Sequence, residues 1–416
     1  MPATALSRVG ARVEGSDTTD EYLNRDTWAR LEALPDPRSP QGLIYPLSCL
    51  IAVAVCAMTS AGHDGLTGVG QWVKNAGPQD LARLRCPWDP FARAYRVPDE
   101  KTIRVVLNRL NPRALTRALL GPRRPGRTRP DGRPSRSVRD YRARRLAAQT
   151  KALARSRLRA VAVDGKTSRG ARRRDGTRVH LLGVVEHGGR LLDHVEVDVK
   201  HNETSHFTDL LLGLDLTDLA VTFDALHTVR ANLDWLVTTK KGHYVAVVKK
   251  NQPLLYAKVK ALPWKQVRAG ATTREAGHGR IETRSLKAVH VERLGVDFPH
   301  IRQAVKLTRW RQDARTGKVS RETVYVITSL TSAQASPADL ARVIREHWSV
   351  EVHHHVRDLS FREDQATNRT GHGPVNLATI RAAIIAAITD VGYLYVPEGR
   401  RDHLTPANAL YLHGLA

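Results

Sequence analysis

The sequence predicts an α/β domain that carries a β-rich insertion and follows a small all-α domain. Apolar residues recur at helical spacing as far as about residue 120, whereas from Leu158 they alternate as they do in β-strands. These strands then alternate with helical segments, which is the pattern of an α/β sheet. The chain has 416 residues and is long enough for two or three folded units at about 150 residues each.

The N-terminal helices are separated by a clear break. A short helix reaches Leu34, and residues 36–42 (DPRSPQG) stop it because they contain two prolines and a glycine. A long apolar helix begins at Pro46, and residues 97–111 continue the helical pattern. We therefore predict an all-α unit over residues 28–120.

The second part of the chain follows the order β-β-β-α-β-α-β. The strands are RAVAVDG, VHLLGVVEH, RLLDHVEVDVK, LAVTFDA and HYVAVVKKN, and the second and third form a hairpin at Gly188-Gly189. Helices are predicted at residues 204–212 and 229–238. This order makes a sheet with antiparallel and parallel parts.

A basic, β-rich stretch at residues 253–332 is inserted after this sheet, and its predicted strands include IETRSLKAVHVE, QAVKLTRWRQ and ETVYVITSL. A helix is predicted to start at Pro337 and to continue through Glu351, and a second helix covers residues 375–389. The predicted units are a flexible tail (1–27), a helical domain expected to bind DNA (28–120), a basic linker (121–157), the sheet domain (158–395) and a C-terminal tail (396–416).

The net charge indicates a polyanionic partner. Lys and Arg number 66 against 41 Asp and Glu, which gives a formal charge of +25 and a pI near 10.5, and nucleic acid is the leading partner for such a chain. Residues 121–160 contain 14 Lys or Arg and two Asp, so nearly half of the excess charge lies there. This segment is either a solvated spacer or an arm that binds phosphates.

A membrane protein or an exported protein is not expected. The apolar run from Leu47 to Met58 is shorter than the roughly 20 residues of a bilayer-spanning helix, and the first residues have no apolar stretch of signal-peptide length. The three cysteines have no CxxC spacing, which indicates small core residues of an intracellular protein. A cytoplasmic protein associated with the nucleoid is the expectation.

Three carboxylates are candidates for a metal site. Asp164 and Asp224 each follow an apolar strand, where an unpaired carboxylate costs several kcal/mol unless a cation compensates it. Glu351 lies on a later helix that can lean over the sheet. Taken singly, Asp164 can be a turn residue before Gly165, Asp224 a helix N-cap, and Glu351 part of a solvated helix face. Together they favour Mg²⁺ or Mn²⁺, which prefer oxygen ligands.

The chain resembles DDE-type insertion-sequence transposases, specifically the H-repeat-associated (ISAs-type) branch. The sequence motifs that carry the resemblance extend over about residues 28–395. They are DPRSPQGLIYPL, VPDEKTIRVVLNRL, DGKTSRG, KHNET, VTFDALHT, GHYVAVVKKNQPLL, REHWSVE and DLSFREDQ.

This resemblance implies a ribonuclease-H-like catalytic domain in which Asp164, Asp224 and Glu351 form the acidic triad. Two Mg²⁺ or Mn²⁺ ions, about 3.5–4 Å apart in such sites, would activate the attacking water or 3′-hydroxyl and stabilise the leaving oxygen. The partner implied is double-stranded DNA, at transposon ends and at the target, and related enzymes act as dimers on paired ends. The wider superfamily often has Tyr, Arg and Lys around its glutamate, where this chain has Ile344, His347 and Asp358.

Several basic residues are candidates for DNA contacts. Lys166, Arg169, Lys249 and Lys250 flank the strand ends and are candidates for phosphate contacts, or are solvated side chains. Arg345 and His347 are the candidates for the basic contact near the glutamate.

Two further groups of residues leave alternatives open. His347, Glu351 and His355 would share one helical face and could bind zinc, although two aspartates and a glutamate favour a harder cation. Trp310 either stacks on a base or packs in the core, and Trp348 is predicted in the core.

Four functions compete at this point. The first is a transposase that cleaves DNA and transfers strands. The second is a DNA-binding regulator derived from a decayed transposase, and the third is a different two-metal nuclease that cuts without strand transfer. A zinc hydrolase is the fourth.

Overall fold

The computed structural model describes residues 27–121, 158–197, 203–277 and 279–416. The predicted N-terminal tail, most of the basic linker, and Lys200 to Asn202 of the KHNET motif lie outside the described residues. No helix among the described residues is long and apolar enough to cross a membrane.

The N-terminal part consists of six helices and a small hairpin. The hairpin differs from the all-α prediction, and it pairs Trp88 with Tyr95 and Asp89 with Ala94. The elements are α1 (Thr27–Glu32), α2 (Leu47–Thr59), α3 (Leu66–Lys74), α4 (Pro78–Arg83), β1 (Trp88–Asp89), β2 (Ala94–Tyr95), α5 (Glu100–Arg109) and α6 (Pro112–Leu120).

Helix α2 forms the centre of this part, and all of its 13 residues are buried. Its sequence, LSCLIAVAVCAMT, is apolar on every side, which is typical of a helix surrounded by others. The cysteines Cys49, Cys56 and Cys86 are free and buried, as predicted. Burial of apolar surface at about 25 cal/mol per Å² is therefore the main force that holds these helices together.

The C-terminal helices belong to the same core. They are α12 (Gly373–Asp390), α13 (Val396–Asp402) and α14 (Pro406–His413), which contribute Ile384, Leu410 and Leu412 to the cluster around α2. Thr27 Oγ1 donates a hydrogen bond to the carbonyl of His413 at 3.0 Å. Residues 396–416 are therefore two packed helices, not the tail that the sequence predicted.

A mixed sheet of nine strands makes up the second part, in the order β5-β4-β3-β6-β7-β11-β10-β9-β8. Strands β3, β6 and β7 are parallel neighbours, and the other neighbouring pairs are antiparallel. The α/β class predicted from the sequence is confirmed at this level. The strands are β3 (Ala160–Arg172), β4 (Arg178–Glu186), β5 (Leu191–Glu196), β6 (Ala220–Phe223), β7 (His243–Val248), β8 (Ala271–Gly277), β9 (Arg280–His290), β10 (Gln303–Asp313) and β11 (Val319–Thr328).

The inserted stretch extends this same sheet. It begins with a helix, which the sequence did not predict, and its four strands β8–β11 join the core sheet where β11 pairs with β7. Strand β8 was missed because its residues, ATTREAG, are almost all exposed and polar.

Helices cover both faces of the sheet. On one face lie α7 (Glu203–Leu211), α8 (Arg230–Thr238) and α9 (Pro253–Ala261), which bury Phe207, Leu236 and Val259 against the strands. On the other face lie α10 (Pro337–Glu346) and α11 (Ser349–Phe361). Helix α10 buries Leu340 and Val343 against β7, β10 and β11, and α11 buries Val350 and Phe361 near β3 and β4.

Candidate active site

Asp164 and Asp224 lie next to each other at the carboxyl end of β6. The last parallel pair between β3 and β6 joins Val163 to Phe223, and the two aspartates are the next residues of the two strands. The prediction that a strand ends before Asp164 is wrong, because β3 continues to Arg172 alongside β4. Asp164 is thus held between two strands, whereas Asp224 begins a loop and caps the 3-10 turn Ala225–His227.

Glu351 lies in the first turn of α11 and is exposed. The predicted single helix from Pro337 through Glu351 is wrong, because a turn at His347 and Trp348 separates α10 from α11. The break places α11 over β3, where His354 Nδ1 lies 3.8 Å from Asp164 Oδ2. Asp164 and α11 therefore share one face of the sheet.

The pKa of Asp164 is raised to about 6. Burial is the main cause, and the negative charges of Glu203, Glu351 and Asp224 raise it further. Burial also raises the pKa of Glu351. Glu203, Glu351 and Asp224 therefore lie within electrostatic range of Asp164, and a bound cation would relieve their repulsion of its charge.

The donor atoms suit a hard cation, since carboxylate oxygens are the ligands that Mg²⁺ and Mn²⁺ prefer. Within the described parts of the chain, no three His, Cys, Asp or Glu side chains are gathered closely enough to ligate one ion. Asp224 contacts Lys249 Nζ at 3.1 Å and the backbone N–H of Ala225. The carboxylates thus fit a divalent ion by their chemistry and charge.

Glu203 is a site residue that the sequence analysis missed. Its carboxylate accepts hydrogen bonds from His180 Nε2 at 2.7 Å and from His227 Nε2 at 2.9 Å. These bonds lower the pKa of Glu203 to about 2. His180 Nδ1 in turn lies 2.7 Å from Thr167 Oγ1. The KHNET motif was a signal for Glu203, but its role depends on contacts between distant segments.

This network joins the segments that carry the two aspartates. Thr167 lies on β3, three residues after Asp164, and His227 lies three residues after Asp224. The carboxylate of Glu203 also lies against Gly165, where an added Cβ would be 2.5 Å from Glu203 Oε1. Only glycine leaves room for this contact.

Lys166 and Arg169 lie on β3 beside the carboxylates. Lys166 is buried and its Nζ contacts Asp358 Oδ2 at 2.7 Å and Asp364 Oδ1 at 3.5 Å. Arg169 is exposed over 80% of its side chain, with Asp364 at 3.3 Å. Of these two cations, Arg169 is the one placed for contact with a large ligand.

Lys249 and Lys250 follow β7 directly and are exposed, and Lys249 contacts Asp224. Arg345 on α10 is ion-paired with Glu275 of β8. Lys249 and Lys250 are therefore accessible at the end of the strands where the two aspartates lie.

His347 is half-buried in the turn between α10 and α11. Its Nδ1 lies 2.9 Å from Thr222 Oγ1, and burial lowers its pKa to about 4, so the ring is neutral near pH 7. This placement gives His347 a role in anchoring the turn to β6. Trp348 beside it is 62% exposed, so its predicted place in the core is wrong.

The arrangement proposed for zinc does not form. His347 precedes the break in the helix, so it does not share a helical face with Glu351 and His355. The three consecutive histidines point in different directions: His353 contacts the carbonyl of Gly189 at 3.0 Å, and His354 faces Asp164. The basis for a zinc site is thereby lost.

Two family models match the chain. Residues 155–386 match a family described as Transposase DDE domain, and residues 28–121 match one described as DDE_Tnp_1-associated. The chain therefore belongs to the DDE transposase family, and the resemblance found in the sequence is confirmed.

Named relatives agree with this assignment. The chain is 26% identical to "Putative transposase YncI" of Escherichia coli O157:H7 over 264 aligned residues. The aligned region covers 61% of this chain and 67% of that protein. It is 27% identical over 244 residues to "H repeat-associated putative transposase YhhI" of Escherichia coli K12, covering 55% of this chain and 64% of that protein. A third relative, "Uncharacterized protein in dhlA 3'region" of Xanthobacter autotrophicus, is 27% identical over 72% of this chain and 93% of its own length.

Proposed function

We propose that the protein is an active transposase that cleaves DNA at transposon ends and transfers the freed strands into target DNA. Asp164, Asp224 and Glu351 are its catalytic and metal-binding residues. The observations that support the proposal are that Asp164 and Asp224 directly follow the last parallel pair of β3 and β6, and that α11, which carries Glu351, lies beside Asp164 through His354. Burial is the main cause of the raised pKa of Asp164, and the negative charges of Glu351 and Asp224 raise it further.

The catalytic part is proposed to have a ribonuclease-H-like fold, with the β-rich insertion between its last core strand and α10. Strands β5, β4 and β3 pair antiparallel, and β6 and β7 follow β3 in parallel. This strand order, β5-β4-β3-β6-β7, supports the assignment. In this arrangement residues 28–120 are an associated helical domain that binds DNA. Residues 121–157 would be a basic linker.

The chain's own residues have distinct parts in this chemistry. When bound, two Mg²⁺ or Mn²⁺ ions would supply charge neutralisation at the scissile phosphate and lower the pKa of the attacking hydroxyl. Asp164 is the fixed ligand, because β3 is held on both sides by β4 and β6. Asp224 and Glu351 approach from a loop and from a helix, so they can adjust as DNA enters.

Lys249, Lys250 and Arg169 are proposed to bind phosphates beside this edge, because their side chains are exposed there. Lys166, Arg345 and His347 were also candidates for DNA contact. Their ion pairs and hydrogen bonds support a role in holding β3, β8 and the α10–α11 turn in place. The working form is proposed to be a homodimer on paired DNA ends.

The test is a cleavage and joining assay on DNA that carries the sequences flanking the gene, in Mg²⁺ and in EDTA. Asp224→Asn is expected to abolish cleavage and joining while DNA binding is preserved. Asp218→Asn is the matched control: this exposed residue lies before β6, at the opposite end of the same strand. Cleavage without joining would identify a nuclease, and binding without cleavage by the wild type would identify a DNA-binding regulator; either result contradicts the proposal.

A further inference from the structure

Glu203 lies behind the strand that carries Asp164. Lys166, two residues after Asp164 on β3, contacts α11 through its Nζ. Gly165, between them, faces the opposite way, since a Cβ added there would lie 2.5 Å from Glu203 Oε1. Because side chains alternate along a strand, Asp164 points to the face of the sheet that α11 covers, and Glu203 lies on the other face.

The loop that begins at Asp224 is bonded to β7 and to the residues that follow it. Thr228 Oγ1 donates a hydrogen bond to a carbonyl of β7 at 2.9 Å, and Asn251 Nδ2 donates one to the carbonyl of Ala225 at 2.8 Å. Strand β7 is the neighbour of β6 on the side away from β3. These bonds therefore do not set the distance between the loop and Asp164.

Glu203 supplies the connection from this loop towards β3. Its carboxylate accepts a hydrogen bond from His227 Nε2 at 2.9 Å, in the loop, and another from His180 Nε2 at 2.7 Å, on β4. Among the described residues, no other side-chain hydrogen bond joins residues 224–228 to β3, β4 or α7. One carboxylate thus connects the loop after β6 to the β3–β4 pair.

The groups on either side of this connection are held in place. The His227 ring is buried, and its centre lies 5.7 Å from the centre of the Phe207 ring and 6.4 Å from that of Phe223. The first turn of α7 is fixed to α8, because Asn232 Nδ2 donates to the carbonyl of Thr204 at 2.8 Å. Movement of the loop away from β3 therefore requires that the bond between His227 and the carboxylate breaks.

We propose that Glu203 is a positioning residue of the active site, which holds the loop that begins at Asp224 at a set distance from Asp164. Carboxylates that ligate metal ions depend on hydrogen-bonded groups behind them for their orientation, and loss of such a group commonly weakens metal binding about 10–100-fold. The inference rests on the proposed function, because it explains how two of the proposed ligands keep their spacing.

The test compares three variants of the full chain. Glu203→Gln keeps the size of the side chain, but its amide cannot accept hydrogen bonds from both histidines. His227→Phe removes the bond from the loop, while it keeps an aromatic ring at that position and the negative charge of Glu203. Asp209→Asn is the matched control, because it changes an ion-paired carboxylate of the same helix, 2.7 Å from Arg113 Nη2.

Two measurements are made on each protein. The first is hydrogen–deuterium exchange of the peptide that covers residues 224–229, without metal and without DNA. The second is calorimetric binding of Mn²⁺ to the complex with a DNA duplex that carries the sequences flanking the gene. Glu203→Gln and His227→Phe are each expected to speed exchange of the loop about tenfold, as loss of a hydrogen bond to a charged group implies. Both should also weaken Mn²⁺ binding about tenfold or more.

Exchange of α2, and both measurements in Asp209→Asn, should stay at the wild-type level. Wild-type exchange of the loop in Glu203→Gln or His227→Phe would overturn the proposal. An equal rise in exchange over the whole chain would overturn it too, since Glu203 would then act only on global stability. Weaker Mn²⁺ binding in Glu203→Gln but not in His227→Phe would show that Glu203 acts by its charge and not by position. Failure of the wild type to cleave and join DNA would overturn the proposed function, and exchange of the loop would still decide the role of Glu203.

Discussion

Gly165 is the position at which a single methyl group should disturb the candidate active site most. A Cβ added there would lie 2.5 Å from Glu203 Oε1, 2.6 Å from His180 Nε2 and 2.8 Å from Glu203 Cδ. A normal carbon–oxygen contact is several tenths of an ångström longer. The carboxylate cannot retreat freely, because both of its oxygens accept hydrogen bonds from histidines. Gly165→Ala must therefore break or stretch those bonds.

The expected loss in the free energy of unfolding of Gly165→Ala follows from these contacts. Overpacking of a filled site costs about 1–3 kcal/mol, and a hydrogen bond to a charged group contributes about 1.5–3 kcal/mol. We expect Gly165→Ala to lower the free energy of unfolding by about 1–3 kcal/mol. Gly277→Ala is the control, because a Cβ at this strand glycine meets no atom within 4 Å, and a change within about 0.5 kcal/mol is expected there.

A double-mutant cycle measures whether the contact with Glu203 causes the loss of stability in Gly165→Ala. In Glu203→Ala the carboxylate is gone and the His180 ring can move, so adding Gly165→Ala should cost little more. Urea unfolding of the four proteins should show a coupling free energy of about 1 kcal/mol or more between the two positions. If the two effects add within about 0.5 kcal/mol, the contact between Gly165 and Glu203 is not what makes the position sensitive.

Two further predictions concern stability. Glu363 is buried between Arg357, with Nε–Oε2 at 2.7 Å, and Arg381, at 3.4 Å, so Glu363→Gln should lower the free energy of unfolding by about 3–5 kcal/mol. The exposed Glu292→Gln should change it little in the same urea titration, and equal effects would refute the role of the buried pairs. Burial lowers the pKa of His194 from 6.5 to about 3, so the unfolded chain gains a proton first as the pH falls, and stability is lost below about pH 6.5. His194→Asn should reduce that pH dependence by about 1.4 kcal/mol per pH unit between about pH 6 and pH 4, and an unchanged dependence would show that His194 titrates normally.

The strands of the core sheet could be predicted because their apolar residues are typical of strands buried in the centre of a sheet. AVTF in β6 is buried at every position, as a central parallel strand requires, and this placed Asp224 correctly at its end. Strand β8 could not be predicted, since its polar residues have no apolar alternation and only its pairing with β9 makes it a strand. The break between α10 and α11 contains no proline or glycine, so no local signal marked it.

The candidate site was predictable only in part, because its contacts join segments that are distant in the sequence. Asp164, Asp224 and Glu351 were proposed from the strand pattern and the motifs, but the two histidines that bond Glu203 come from β4 and from the turn after β6. Their contact with Glu203 depends on the packing of α7 across the sheet. Likewise, the motif DLSFREDQ gave no hint that Asp358 and Asp364 pair with Lys166 under β3.

The most direct measurement of the proposed site is the binding of Mn²⁺ to the protein–DNA complex, titrated by calorimetry. Asp164→Asn, Asp224→Asn and Glu351→Gln are each expected to weaken binding at least tenfold, which corresponds to about 1.4 kcal/mol, while Asp218→Asn binds like the wild type. Wild-type affinity in Glu351→Gln would mean that α11 does not contribute to the metal site, and it would contradict the three-carboxylate centre.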